Sequence, residues 1–116
     1  MSLWGSPITP WFHDWAFNRH RGEEIKQHWD KIPSDVQILI THGPLKNILD
    51  RTFRGEHVGC EVLRKAIIDD KKFKNLKMSI CGHIHEHSGV EVINGITFIN
   101  ASFEKISESS FYQVEL

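Results

Sequence analysis

Two apolar runs that each end at a histidine beside a glycine constrain this sequence more than any other feature. The run 36–41 (VQILIT) leads directly into His42, and the run 78–81 (MSIC) leads through a glycine into His83. Short apolar runs of this kind are typical of strands buried on both faces of a sheet. Because α/β proteins bind ligands beyond the carboxyl ends of neighbouring parallel strands, the pattern predicts that both histidines lie at one ligand-binding edge.

Two helices are expected to connect the strands. Apolar residues recur at helical spacing over 22–32, with glutamates in the first turn and Pro33 just beyond, which predicts an amphipathic helix. One apolar stripe predicts a second helix over 59–70. The segments 4–20 and 45–57 show neither helical nor strand periodicity and are interpreted as ordered surface loops.

The last third of the chain carries hairpin signals. The runs 90–93 and 96–101 are joined by Asn94-Gly95, which predicts a β-hairpin with a two-residue turn. The alternating run 111–115 predicts an additional edge strand. The order of elements therefore predicts an α/β fold that combines a mixed β-sheet with two main helices.

Length and composition limit the classes of protein that this chain can represent. Its 116 residues, 40% hydrophobic and 25% charged, predict a single domain over 1–116. Lysine plus arginine (14) nearly balance aspartate plus glutamate (15), so the charge gives no reason to expect bulk nucleic-acid binding or a membrane partner. Two cysteines, Cys60 and Cys81, without a long apolar segment predict a cytoplasmic protein with free thiols.

Histidine is the outlier in the composition, with eight residues in all. His83, His85 and His87 alternate, so on an extended backbone their side chains point the same way, with Cα atoms about 6.6 Å apart. A His-x-His pair alone is more often two exposed side chains than a site. The flanking glycines and the second strand-end histidine, His42, favour metal binding here. The remaining four stand among polar neighbours and are interpreted as solvated or locally hydrogen-bonded: His13, His20, His28 and His57.

Two motifs carry a family resemblance. The pairing of ILITHGP (38–44) with CGHIHE (81–86) resembles the last two metal-binding motifs of calcineurin-like metallophosphoesterases. The segments GSPITPWF, WAFNRHRG, VGCEVL and FINAS resemble a small metallophosphoesterase-domain subfamily that is similar to class III cyclic nucleotide phosphodiesterases. The resemblance implies that the chain is the C-terminal portion of such a protein, one half of a four-layer αββα sandwich.

The resemblance also implies roles for particular residues. His42 and His83 would bind the second of two metals, and His85 would bind the first. In the complete family these divalent ions (Mn, Fe, Zn or Mg) activate a water that hydrolyses a phosphodiester or phosphomonoester. The substrate would be a small phosphoester such as a cyclic nucleotide.

Three cations in the loop after His42 are candidate contacts to the phosphate of the substrate: Lys46, Arg51 and Arg54.

The sequence departs from the family in one respect that affects the chemistry. Family members carry an Asp-x-His motif, a Gly-Asp segment whose aspartate bridges both metals, and a Gly-Asn-His motif, and none of these precedes His42. Without a bridging carboxylate two close cations repel each other. The expectation for these 116 residues is therefore a single Zn or Ni ion, weak or absent phosphoesterase activity, and no certain catalytic residue.

Three functional interpretations stay open. The chain is either the C-terminal part of a phosphoesterase, which a complementary N-terminal half completes, or a non-catalytic metal- or phosphate-binding module that keeps the scaffold. A histidine-rich zinc protein unrelated to phosphoesterases is the third. Half a sandwich would leave one sheet face bare, which predicts a homodimer or a complementary partner half.

Overall fold

The computed structural model describes residues 1–10 and 18–102, without the side chains of Asn18 and His85. The predicted edge strand over 111–115 and the histidine at position 13 lie outside the described residues.

A five-stranded mixed sheet forms the centre of the fold. Its strands, in chain order, are β1 (Leu3–Ser6), β4 (Ile38–Thr41), β5 (Met78–Cys81), β6 (Gly89–Ile93) and β7 (Ile96–Asn100). They are arranged β1-β4-β5-β7-β6, with the first four parallel to one another and β6 antiparallel to β7. A separate parallel pair consists of β2 (Thr9–Pro10) and β3 (Asn18–Arg19). The predicted α/β class with a mixed sheet is confirmed.

Strand β1 is a difference from the sequence prediction, which placed residues 4–20 in a loop. Leu3 pairs with Ile38 of β4, and the backbone N–H of Ser2 donates to the side-chain oxygen of Gln37 at 2.9 Å. The segment itself has no alternating apolar pattern. Its pairing partner lies 35 residues further along the chain (3 to 38). Its strand conformation is therefore imposed by tertiary pairing rather than by local sequence.

Both predicted helices are present and are shorter than expected. The first, α1, spans Glu23–Trp29 and buries Ile25 and Trp29. The second, α2, spans Glu61–Arg64 and continues as a π-helical turn over Lys65–Asp69, in which the backbone N–H of Asp70 donates to the carbonyl oxygen of Lys65. One wide turn of this kind adds a residue to the helix without a break.

The two faces of the sheet differ in burial. Leu39 of β4 and Phe98 of β7 lie in the same buried cluster as Ile25 of α1 and Leu63 of α2. That cluster is the hydrophobic core, and it fixes the helices against one face of the sheet.

On the opposite face, register places Ile40, Ile80, Ile99 and Val90 in one row across four strands. On this face Ile99 is buried, at 5% exposure, and Ile80 is half-buried. Four apolar side chains on it are exposed: Leu3, Ile40, Val90 and Val92.

Within the described part of the chain, no helix has the length and apolar character needed to cross a membrane.

Candidate metal centre at the strand ends

The two strand-end histidines meet at one edge of the sheet. Strands β4 and β5 are parallel neighbours, and the backbone N–H of Gly82 donates to the carbonyl oxygen of His42 at 2.9 Å, which extends the pairing by one step. The imidazole rings of His42 and His83 have centroids 4.6 Å apart and planes inclined by 41°. His42 is exposed and His83 is half-buried. The structure therefore brings together these two of the three predicted metal ligands.

Close packing around this pair depends on small residues. A Cβ added at Gly82 would lie 3.2 Å from the Ser102 hydroxyl, and one at Gly43 would touch Thr9 at 3.6 Å. His83 itself has a left-handed backbone with φ of 73°, which is unusual for a residue with a side chain. The strand thus ends sharply, and the His83 ring is turned towards His42.

The expected alternation of His83, His85 and His87 along an extended backbone is wrong. Residues 85–87 form a single 3-10 turn, and the backbone N–H of Ile84 donates to the carbonyl oxygen of Gly82 at 2.9 Å. The turn is stabilised because the carbonyl oxygens of Ile84 and His87 accept hydrogen bonds from a buried side-chain amide. They do not pair with a neighbouring strand in the described part of the chain.

That amide belongs to Asn100, the last residue of β7, which is fully buried. Its Nδ2 group donates to the carbonyl oxygens of Leu49, Ile84 and His87 at 3.0, 2.8 and 3.1 Å, and its Oδ1 accepts from the backbone N–H of Ser102. Sequence reasoning missed this residue. The available signal was a polar side chain that ends a buried strand next to two other strand ends.

A second buried polar residue, Asp50, organises the loop after His42. Its Oδ2 accepts from the backbone N–H groups of Asn47 and Gly59 at 2.9 and 2.8 Å, and its Oδ1 lies 2.7 Å from Nδ1 of His57.

Burial, together with the charge of Asp50, raises the pKa of the Cys81 thiol to about 12. Cys81 is therefore a protonated thiol near neutral pH, as predicted for a free cysteine.

The three residues predicted to contact the phosphate, Lys46, Arg51 and Arg54, have different surroundings in the structure. The ammonium group of Lys46 donates to the carbonyl oxygen of His57 within its own loop. Arg51 lies beside the histidine segment, where its backbone N–H donates to Nδ1 of His87 at 3.0 Å. Arg54 is exposed. Arg51 therefore contacts the segment that carries the candidate ligands, through its backbone N–H.

The described side chains supply part of a donor set for a metal. A catalytic zinc site uses three protein ligands, and His42 with His83 provides two imidazoles of suitable chemistry. Among the side chains that the structure describes, which exclude that of His85, no group of three or more histidine, cysteine, aspartate or glutamate residues is arranged to hold an ion. The third predicted ligand, His85, stands in the adjacent turn.

Sequence relatives identify a shared domain. The chain is 39% identical over 101 residues to metallophosphoesterase domain-containing protein 1 of Homo sapiens and to that of Mus musculus, and 33% identical over 102 residues to a UPF0046 protein of Caenorhabditis elegans. Each match covers 86% of this chain. The chain spans 30% of the length of the two mammalian relatives and 24% of the length of the nematode protein.

The fold also has a counterpart among solved structures. One crystal structure superposes on 87% of this chain with a TM-score of 0.50 and 21% sequence identity, and the match covers 39% of that chain. At this identity the match establishes the fold alone. No protein-family model matches the sequence.

Proposed function

We propose, from the premise that this chain belongs to the metallophosphoesterase superfamily, that its strand-end histidines bind a divalent metal used in phosphoester hydrolysis. The observation that carries the proposal is the contact between the His42 and His83 rings at adjacent ends of parallel strands, 4.6 Å apart. Two imidazoles that meet from separate loops can serve a common ion, since imidazole is a common metal ligand.

The residues divide into two roles. His42 and His83 would hold the metal, with His85 as a further ligand from the adjacent turn. A bound divalent ion polarises a phosphoryl oxygen and lowers the pKa of a coordinated water. Arg51 would contact the anionic ester, since it is the candidate cation that touches the histidine segment.

The remaining two candidate cations, Lys46 and Arg54, are assigned a weaker part in binding the ester. The Lys46 ammonium group is already occupied by the carbonyl oxygen of His57, and Arg54 projects from the loop into solvent.

The expected metal content of the 116-residue chain is one zinc or nickel ion. Imidazole donors suit these two metals, whereas magnesium and manganese prefer oxygen ligands. The sequence contains no Asp-x-His, Gly-Asp or Gly-Asn-His motif ahead of His42, so it supplies no bridging aspartate for a second ion. Turnover by the chain alone is accordingly expected to be weak or absent.

A non-catalytic metal- or phosphate-binding module is the second candidate function. It would keep the pair of His42 and His83, whose rings lie 4.6 Å apart, as its metal-binding element. The two candidates share the metal site and differ in whether an added N-terminal half restores turnover.

The proposed substrate is a small phosphoester such as a cyclic nucleotide, and the proposed compartment is the cytoplasm. The proposed partner is a second copy of the chain or a complementary N-terminal half. The support for a partner is the set of exposed apolar side chains on the sheet face opposite the helices, including Ile40 and Val90.

Metal binding and hydrolysis of bis(p-nitrophenyl) phosphate, measured on the same preparations, test the proposal. We expect one zinc or nickel ion per chain, and affinity at least about tenfold lower in His42→Ala and His83→Ala. The control is His20→Ala, which changes an exposed histidine elsewhere. Equal metal affinity in all three variants contradicts the site. Two ions per chain, with turnover abolished by His83→Ala, contradicts the single-metal expectation.

A further inference from the structure

A depression of about 360 Å³ lies where the loop after β4 meets the histidine segment. Its lining consists of Arg51, Thr52, Phe53, Glu86 and His87. Its volume falls within the range of pockets that hold small molecules. Since Glu86 and His87 belong to the turn that begins two residues after His83, the depression lies along the histidine segment.

Hydrogen bonds hold the two walls of this depression together. The backbone N–H of Arg51 donates to Nδ1 of His87 at 3.0 Å, and the backbone N–H of Phe53 donates to Oε2 of Glu86 at 3.3 Å. Behind them, the buried amide of Asn100 binds the carbonyl oxygens of both Leu49 and His87. The shape of the depression is therefore fixed by contacts between the walls as well as within each one.

The lining carries an anionic acceptor, the Glu86 carboxylate that binds the backbone N–H of Phe53, together with several donors. Because Nδ1 of His87 accepts a hydrogen bond, a neutral His87 ring carries its proton on Nε2, which is then a donor. The Arg51 guanidinium packs beside Gly55, at 3.9 Å from an added Cβ, and forms no ion pair with the residues that the structure describes. The hydroxyl of Thr52 is buried without a hydrogen-bond partner among those residues. The Arg51 guanidinium is therefore available to the phosphate of an ester bound at this depression.

The apolar part of the lining is the ring of Phe53, which is 82% exposed. It is the most exposed aromatic side chain in the described part of the chain, and it stands on a loop that the contacts above hold in place. A ring presented in this way offers a flat face on which a second planar group stacks.

We propose that this depression is the leaving-group subsite of the phosphoester site, and that it takes a planar aromatic group stacked on Phe53. Arg51 then lies towards the phosphate of the same ester. The inference rests on the proposed function, since it assigns a binding place to the organic group of the phosphoester substrate. It favours phosphoesters whose ester group carries a planar aromatic ring over phosphoesters without one.

Two phosphate monoesters that differ only in this group provide the test. Phenyl phosphate and ethyl phosphate are titrated into the 116-residue chain, with chelator and then with zinc, and binding is followed by NMR. We expect phenyl phosphate to bind about fivefold more tightly than ethyl phosphate, since a stacked aromatic pair contributes a preference of this order. Phe53→Ala should remove the preference, and Phe53→Trp should retain it.

Gln27→Ala is the control, because it truncates an exposed side chain on α1, which packs against the other face of the sheet. Circular dichroism of each variant verifies the fold. Equal affinity for the two esters in the unmodified chain, a preference that survives Phe53→Ala, or no binding of either ester overturns the subsite. Failure of the proposed metal site has a different signature: His42→Ala leaves zinc affinity unchanged while the phenyl preference persists.

Discussion

The side-chain nitrogen of Asn100 lies 2.8 Å from the carbonyl oxygen of Ile84, in the interior of the protein. The same nitrogen reaches the carbonyl oxygens of Leu49 and His87, so one amide joins the end of β7 to the loop after β4 and to the histidine segment. The position of the candidate ligands therefore depends on a residue that has no metal-binding chemistry of its own.

Asn100→Ala should destabilise the fold by about 3 kcal/mol, because several buried carbonyl groups and the backbone N–H of Ser102 lose their partner. Urea unfolding measures this loss. Zinc affinity should fall in the same variant, since the turn over residues 85–87 is no longer held in place. Asn75→Ala, at an exposed position, is the control and should change stability by less than about 0.5 kcal/mol. Equal stability of the two variants would refute the role given to Asn100.

Gly59→Ala should also be strongly destabilising. A Cβ at this position would lie 2.3 Å from the backbone carbonyl of Leu45 and 2.6 Å from the backbone nitrogen of Lys46, so the backbone has to shift. The shift also disturbs the hydrogen bond from Gly59 to Asp50. The expected loss in thermal or urea unfolding is about 2–3 kcal/mol.

Gly5→Ala provides the comparison for this effect. Its added Cβ would be 3.5 Å from the nearest atom of Ile40, an ordinary contact. A Gly59→Ala variant as stable as Gly5→Ala would contradict the close approach of the two loops.

His28 should make the stability depend on pH near neutrality. Burial, followed by the charges of Lys31 and Arg19, lowers the pKa of His28 from 6.5, and its Nε2 lies 2.7 Å from the Ser6 hydroxyl. A lowered pKa in the folded state means that the unfolded chain takes up the proton first. The stability that the neutral ring provides is therefore complete above pH 6.5 and is lost as the pH falls through the folded pKa.

Urea unfolding between pH 5 and about 8 tests this assignment by comparing the unmodified chain with His28→Phe. The variant should lose absolute stability with the Ser6 hydrogen bond, and its stability should fall less steeply on the acidic side. Other titrating groups cancel in the difference between the two curves. Parallel curves would show that His28 does not titrate differently in the folded protein.

The exposed sheet face should mediate association of the chain. Val90 and Ile40 share one register row, at 46% and 39% exposure, and a lysine in either position would place a charge in an apolar contact. Val90→Lys should shift the chain from dimer towards monomer in analytical ultracentrifugation. Glu91→Lys is the control, because residue 91 points to the other face of the same strand. A dimer that is unaffected by Val90→Lys, or equally disrupted by Glu91→Lys, would exclude this surface.

The parts of the fold that sequence predicted are those with a local signal. The runs before His42 and His83 are apolar along their whole length, and Asn94-Gly95 specifies a two-residue turn, with φ angles of 53° and 78° as that turn requires. These features located β4, β5 and the hairpin. Strand β1 was missed because its pairing partner, Ile38, is remote in sequence.

The candidate site was predictable only in part, for a related reason. Sequence position was sufficient to place His42 and His83 at one edge, because each follows closely on the end of a strand and the two strands are parallel neighbours. The buried roles of Asp50 and Asn100 depend on which backbone groups surround them after folding, and no local pattern encodes those neighbours. The turn at His85 follows from the same contacts, so it could not be predicted either.

The strand pairs of the sheet differ in how far apart their residues lie along the chain, and we expect this separation to influence the order in which the pairs form. Pairing of β1 with β4 closes a span of 35 residues (3 to 38), and pairing of β4 with β5 closes a span of 40 residues (38 to 78). The β6–β7 hairpin closes across two residues and can form within about 1–10 µs. Because loop-closure entropy opposes distant parallel contacts, we expect the two histidine loops to come together after the hairpin, so that a chain with only its hairpin formed lacks its candidate metal centre.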